Sequence, residues 1–173
     1  MRKFIAFALI VAAVMCAGIA FADDGEKLKI DDVTFGKTYK VKGYAAITFQ
    51  EFSFSDIVSR YNTNDYHSGN EADYAWLRAD IRNLSKKEAK YLGAMAVKVT
   101  YDDEYEYEGF ARQYDYDRSA NSCVADDMPI GPMYMGHYGF FCTLPNFVVQ
   151  DKSAPLRMTI TIDGHEFTYH IRK

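Results

Sequence analysis

Residues 156–173 read LRMTITIDGHEFTYHIRK, and the way this stretch divides its side chains decides the fold class. Leu156, Met158, Ile160 and Ile162 alternate with Arg157, Thr159, Thr161 and Asp163. A period of two marks a strand with one face on a core and the other in water. Asp163-Gly164 suits a type I′ hairpin turn, whose two central residues both need positive φ. The return strand carries Phe167, Tyr169 and Ile171 inward, with Glu166, Thr168, His170 and Arg172 outward. The stretch therefore predicts a complete hairpin with one apolar face.

The same rhythm recurs upstream. HYGFFCTL at 137–144 puts Tyr138, Phe140, Cys142 and Leu144 on one face. From Tyr74 to Arg82, Leu77, Ala79 and Ile81 share one face, and Trp76, Arg78, Asp80 and Arg82 the other. AVKVTY at 96–101 is a further strand. Ala45, Ile47, Phe49 and Glu51 alternate with Ala46, Thr48, Gln50 and Phe52, and Phe54 and Ile57 prolong the apolar pattern. Leu28, Ile30 and Asp32 mark a first short strand, Gly36-Lys37 a turn, and Tyr39, Val41 and Gly43 a further extended run. Residues 62–73, NTNDYHSGNEAD, have the composition of a polar loop. KKEAK at 86–90 is too short to be a helix on its own. Short strands with one apolar face each need a second sheet to cover that face. The expected fold is all-β: an immunoglobulin-like β-sandwich of about seven or eight strands.

The 173-residue chain opens MRKFIAFALIVAAVMCAGIAFADDGEK. Arg2 and Lys3, an apolar run to Ile19 and the small-x-small triplet Ala20-Phe21-Ala22 have the form of a secretory signal peptide over residues 1–22. The alternative, a retained membrane anchor, is disfavoured because the run is short and acidic residues follow it. Cys16 suggests a lipoprotein, but the bulky Met15 stands where a small residue is needed. The expected mature chain is one domain, 23–173. Losing Arg2 and Lys3 changes the balance from 20 Lys+Arg against 24 Asp+Glu to 18 against 24, so the net charge moves from −4 to −6. That charge excludes nucleic acid as a natural partner and repels anionic membranes, and no membrane insertion is expected after cleavage. Cys123 and Cys142 remain, and in an exported domain they read as a disulfide contributing about 3 kcal/mol.

Residues 101–117, YDDEYEYEGFARQYDYD, concentrate tyrosines and acids. On an extended chain Tyr101, Asp103, Tyr105 and Tyr107 share a face, with Asp102, Glu104, Glu106 and Glu108 opposite. Phe110, Arg112, Tyr114 and Tyr116 resume the aromatic phase after a turn or bulge at Gly109. The plain reading is a strand pair with tyrosines at the core margin and acids in water. Two binding readings stand beside it. Calcium could use Asp102, Asp103, Glu104, Asp115 and Asp117, although alternate strand residues lie nearly 7 Å apart and the EF-hand spacing is missing. A carbohydrate could lie on flat rings of Trp76, Tyr101, Tyr105 and Tyr107.

HEFTYH at 165–170 is not the zinc-protease motif, which needs histidines four apart on a helix. Five apart on a strand, His165 and His170 point to opposite faces. His67 in the polar loop and His137 at a strand entry read as surface residues. The chain has no nucleophile elbow, phosphate loop or C-x-x-C. Asn83-Leu84-Ser85 is formally a glycosylation acceptor, with turn chemistry the commoner cause. No catalytic residue, metal or cofactor is expected.

GKTYKVKGYAAITFQEFSFSD, WLRADIRNLSKKEAK, YDDEYEYEG and GFFCTLPNFVVQDKSAPLRMTITIDGHEFTYHIRK together give a layout that resembles the secreted immunoglobulin-like domains of unknown function on bacterial surface lipoproteins and exported proteins. Those domains are akin to the immunoprotective extracellular protein fold. The resemblance spans most of 28–173 and implies that fold and an extracytoplasmic setting. It implies no catalytic residues. The expected function is an exported, non-enzymatic domain that binds a protein or glycan at the cell envelope. The alternatives are a carbohydrate- or calcium-binding module and a small secreted hydrolase.

Overall fold

The computed structural model describes residues 20–22, 26–58, 66, 67, 69, 71–115, 122–124 and 127–173. Residues 1–19, which include most of the expected leader, and Tyr116, Asp117 and residues 62–65, 68 and 70 lie outside the described residues. In chain order the strands are β1 (Ala20–Ala22), β2 (Lys29–Ile30), β3 (Thr38–Val41), β4 (Ala45–Ser55), β5 (Ile57–Val58), β6 (Tyr66–His67) and β7 (Ala72–Asn83). After a 3₁₀ turn at Leu92–Ala94 come β8 (Met95–Tyr101), β9 (Tyr105–Glu108), β10 (Phe110–Asp115), β11 (Ser122–Val124) and β12 (Met135–Pro145). The helix α1 (Asn146–Gln150) leads to β13 (Leu156–Ile162) and β14 (His165–Arg172).

One sheet has seven strands in the order β1-β3-β4-β7-β12-β10-β11, and the other has five, β2-β14-β13-β8-β9; β5 and β6 form a separate pair. The all-β sandwich is the fold that the alternation predicts, with more strands than the seven or eight expected. The additions are mostly short edge strands of two to four residues, too brief to show a period. β1 pairs in parallel with β3; a chain cleaved after Ala22 loses this strand and presents β3 as the sheet edge. No helix among the described residues is long and apolar enough to cross a membrane.

The inner faces make the core. Leu77, Phe140 and Phe167 are fully buried and Ile160 is 1% exposed. Tyr39 and Phe49 of the larger sheet meet Phe167 of the smaller one with ring centroids 5.8 and 5.5 Å apart, and Phe140 meets Phe49 at 6.4 Å. Each such side chain contributes about 1.5–3 kcal/mol by leaving water. The register of β4 on β7 shifts between Phe49 and Glu51. That bulge returns Phe52 and Phe54 to the core side, opposite Leu77 and Ala75, and sends Glu51 outward to Arg78, with Nη1 3.0 Å from Oε1. Gly43 is not extended: at φ +70° it sits in the β3–β4 turn.

The stretch 101–117 is not one strand pair. β8 and β9 form a hairpin whose turn holds Asp102 and Asp103 at positive φ. Asp103 therefore leaves the tyrosine face. The chain then crosses to the other sheet at Gly109, whose N–H donates to Val97 O at 2.8 Å. Phe110, Arg112 and Tyr114 belong to β10 and lie across from Phe141, Gly139 and His137 of β12. With Tyr74 and Trp76, the aromatic residues there form a second, smaller apolar cluster on the outer face.

The expected disulfide is absent. Cys142 is a free, buried thiol, pushed up to about 12 chiefly by burial. The Cys123 side chain lies outside the described residues, but its backbone sits on β11 opposite Tyr114, which itself faces His137. Cys142 is thus two strands across and five residues along from that row. Sheet spacings make the gap roughly 20 Å, against a Cα limit of about 7 Å for a bridge. Pairing by count could not see that both cysteines belong to one sheet.

His165 and His170 do face opposite sides. His170 bonds the Asp31 carbonyl at 2.9 Å, whereas His165 is buried and its Nδ1 accepts the Leu28 N–H at 3.0 Å. Burial, then the charge of Lys27, lower the His165 pKa, with Asp163 opposing. The folded pKa thus lies below the unfolded one. Its contribution is complete above the unfolded value, near 6.5, and is lost as pH falls below that toward the folded value. Calorimetry should show Tm falling between pH 7.5 and 5.5, and His165→Gln, which can still accept the Leu28 N–H, should flatten that slope. An unchanged slope would remove His165 as its source.

Asn83 is fully buried, and its side-chain nitrogen donates to Lys87 O and Ile130 O at 2.7 and 2.8 Å. Its Oδ1 accepts the Ser85 N–H. Turn chemistry accounts for Asn83-Leu84-Ser85.

Candidate functional site

The outer face of the five-stranded sheet forms an open groove of about 530 Å³. β13 supplies Thr159 and Thr161, β14 supplies Thr168, and β8 supplies Thr100 and Lys98. These positions alternate with the core residues Met158, Ile160, Phe167, Val97 and Val99. The floor is therefore held by the same ladder that builds the core. Thr159 and Thr168 hydroxyls meet at 3.2 Å. Around them the charges are matched: Lys98 with Glu106 at 2.7 Å, Lys29 with Glu166 at 3.9 Å, and Arg157 with Asp103. Hydroxyls that both donate and accept, framed by neutralised charge, suit a polar ligand of low net charge.

The expected aromatic platform is not assembled. Trp76 lies on the outer face of the larger sheet, stacked on Phe141 with a 5° interplanar angle. Tyr101, Tyr105 and Tyr107 lie on the smaller sheet, on the side of Val99 and Leu156. Tyr101 and Tyr107 pack against the main core, and Tyr105 is 55% exposed. Tyr101 stands edge-on to Phe147 at 79° and tilted 35° from Tyr105, so the rings offer no common plane. The Tyr101 hydroxyl donates to Asp151 Oδ2 at 2.6 Å, which pushes its pKa up to about 12. Ser153 and Tyr101 together hold the Asp151 carboxyl well below the usual range. Of the carboxylates in the calcium reading, Asp117 and the Asp115 side chain lie outside the described residues; among the described residues no three of His, Cys, Asp and Glu converge.

A second groove, about 460 Å³, lies on the outer face of the larger sheet, with Thr38, Asp80, Arg82, Met133 and Met135 on its walls. Beside it His137 Nδ1 is 2.6 Å from Asp80 Oδ1, and Gln50 donates to Asp80 Oδ2 at 2.7 Å. Burial raises the Asp80 carboxyl, but the His137 bond and charge, then Gln50 and Arg78, outweigh it and hold the pKa below the ordinary value. Thr48 faces Asp80 from β4, on the side away from His137, so its hydroxyl is not placed for a serine-protease-like relay. His137, expected as a surface residue at a strand entry, lies near the start of β12. Its pairing with Asp80 comes from the β7–β12 register, which also sets Met135 across from Arg82, and nothing local in the sequence signals it.

These features define a two-sheet β-sandwich with polar outer grooves. No protein-family model matches the chain, and no curated protein is significantly similar to it. Among solved structures it is similar to an uncharacterized β-sandwich protein from Clostridium difficile 630, at 21% identity and a TM-score of 0.69, over 87% of this chain and all of that one. It is also similar to a conserved hypothetical protein from Bacillus anthracis, at 10% identity and a TM-score of 0.53, over 85% of this chain and all of that one. At these identities the likeness shows the fold alone.

Proposed function

We propose that the chain is an exported, non-enzymatic binding domain of the cell envelope, and that it holds a polar ligand of low net charge on the outer face of its five-stranded sheet. The observation that carries this reading is the threonine-floored groove, whose side chains are fixed by the core ladder beneath them. The leader over residues 1–22 and the resemblance to exported domains support the setting. A glycan strand fits the groove better than calcium does, because hydroxyls and paired charges present alternating donors and acceptors. A glycan array with the purified protein, followed by amide-exchange footprinting, tests it. Protection should fall on β8, β13 and β14. Thr161→Arg should abolish binding while changing stability by no more than about 0.5 kcal/mol. A footprint confined to the seven-stranded sheet, or binding that survives Thr161→Arg, would overturn it.

A further inference from the structure

The basic segment KKEAK at 86–90 is zipped to the turn before β12. Ala89 N–H donates to Ile130 O at 3.0 Å, and Ile130 N–H to Ala89 O at 2.8 Å. Asn83 ties the two together. Its side-chain nitrogen donates to Lys87 O and Ile130 O, its carbonyl accepts the Met133 N–H, and its own N–H donates to Tyr134 O. This end of the larger sheet therefore sets apolar and basic side chains side by side. Met128, Met133, Tyr134 and Met135 are 44–74% exposed. Arg82, Lys86, Lys87 and Lys90 are exposed as well, and Arg82 stands across from Met135.

These cations differ from the others. Lys27, Lys29, Arg78, Lys98, Arg157 and Lys173 each have a carboxylate partner. Among the described residues Arg82, Lys86, Lys87 and Lys90 have none. Asp127 and Asp80 are bonded elsewhere, to the Leu92 N–H and to His137 and Gln50, and Glu88 is the acid within the segment. Met133 adds a separate sign. It stands at φ +67° in the turn Gly131-Pro132-Met133-Tyr134, which Tyr134 N–H closes on Gly131 O at 3.1 Å. That third position favours Gly or Asn, yet it holds a long apolar side chain out in water. A backbone outlier of this kind is a reason to look for function.

We propose that this end of the sandwich is a docking surface for a bilayer bearing anionic headgroups. Exposed apolar patches with a polar rim mark membrane or protein contacts. Lysine decides between them: protein interfaces deplete it, whereas each lysine or arginine beside an anionic bilayer strengthens binding about fivefold. Tyr134 has the amphipathic ring that settles at headgroup level, and unbranched methionines adapt to irregular apolar surroundings. The net negative charge of the whole chain opposes such a contact only weakly. The acidic turn Asp102–Glu104 stands at the far end of β8, roughly 20 Å along the strand, and screening confines charge effects to about 8–10 Å. This surface shares with the threonine groove only the exported setting.

The test is sedimentation of the exported, leader-free chain with vesicles of phosphatidylcholine and phosphatidylglycerol, against phosphatidylcholine alone. The chain should pellet with the mixed vesicles only, and less as salt rises. Lys86→Gln/Lys87→Gln should weaken binding at least about tenfold. Lys152→Gln/Lys173→Gln, the same loss of charge beyond α1 and at the end of β14, should bind as the wild type does. Met133→Asn should weaken binding severalfold although asparagine suits the turn, so that loss does not come from a broken turn. Circular dichroism melts check that each variant folds. Failure to bind the mixed vesicles at low ionic strength would overturn the surface in favour of an acidic protein partner. Undiminished binding by Lys86→Gln/Lys87→Gln, or an equal loss in Lys152→Gln/Lys173→Gln, would overturn it too. None of these results bears on the threonine groove, which lies on the other sheet.

Discussion

Ile160→Asp is expected to abolish cooperative folding. Ile160 is 1% exposed at the middle of β13, between Val97 of β8 and Phe167 of β14, themselves 4% and 0% exposed. An aspartate there loses the apolar burial, about 1.5–3 kcal/mol, and must also place a carboxylate among the apolar side chains of the main core. An unpaired buried charge costs several kcal/mol more. The sum consumes most of the roughly 5–15 kcal/mol that stabilises a domain of ordinary size. Urea denaturation followed by circular dichroism should show no sigmoidal transition. Thr161, one residue on and facing the groove, provides the contrast through Thr161→Arg, which should melt normally. A cooperative transition at the wild-type midpoint in Ile160→Asp would mean that this position is wet.

Gly109→Ala is the second large effect, and its cause is different. Gly109 is not at positive φ, so its backbone conformation is open to alanine. The obstacle is space: a Cβ would stand 2.2 Å from the Phe141 carbonyl oxygen and 2.7 Å from Val97 Cγ1. One neighbour is backbone in the larger sheet and the other a core side chain of the smaller, so relief requires the sheets to part at the crossing. Overpacking of this kind costs about 3 kcal/mol. Equilibrium urea unfolding measures it directly; a loss below about 0.5 kcal/mol would show that the crossing has slack.

The readable parts of the fold were the long strands with one buried face. The pairing of β13 with β14, closed by Asp163 at φ +49° and Gly164 at +77°, follows from local chemistry: a period of two and a turn that needs positive φ. The opposition of His165 and His170 came from the same parity. Parity failed where the register slipped. The bulge at Gln50 moves Phe52 back to the face of Phe49, and no composition signal announces it. Parity also failed at Phe140-Phe141, where both neighbours are fully buried because the second cluster covers the outer face. A period-two rule assigns one of any adjacent pair to water.

The candidate sites were less legible because each collects residues from separate strands. Trp76 shares only its chemistry with Tyr101, Tyr105 and Tyr107, and the fold puts it on a different sheet from them. The disulfide failed in the same way, since a cysteine count carries no distances. Conversely, Asp80 and His137 are 57 residues apart in the chain and 2.6 Å apart in space. Only the β7–β12 ladder brings them together.

By itself, the sequence determined the class of this protein: alternating apolar and polar side chains leave an extended chain no stable choice but two sheets with their oily faces together. The tertiary structure decided which strands became neighbours, where Gly109 carries the chain across, and hence which outward side chains share a groove. The physical reason is range. Alternation and turn chemistry act over a few residues, whereas a site depends on ladder partners many residues away, selected by the packing of the whole core.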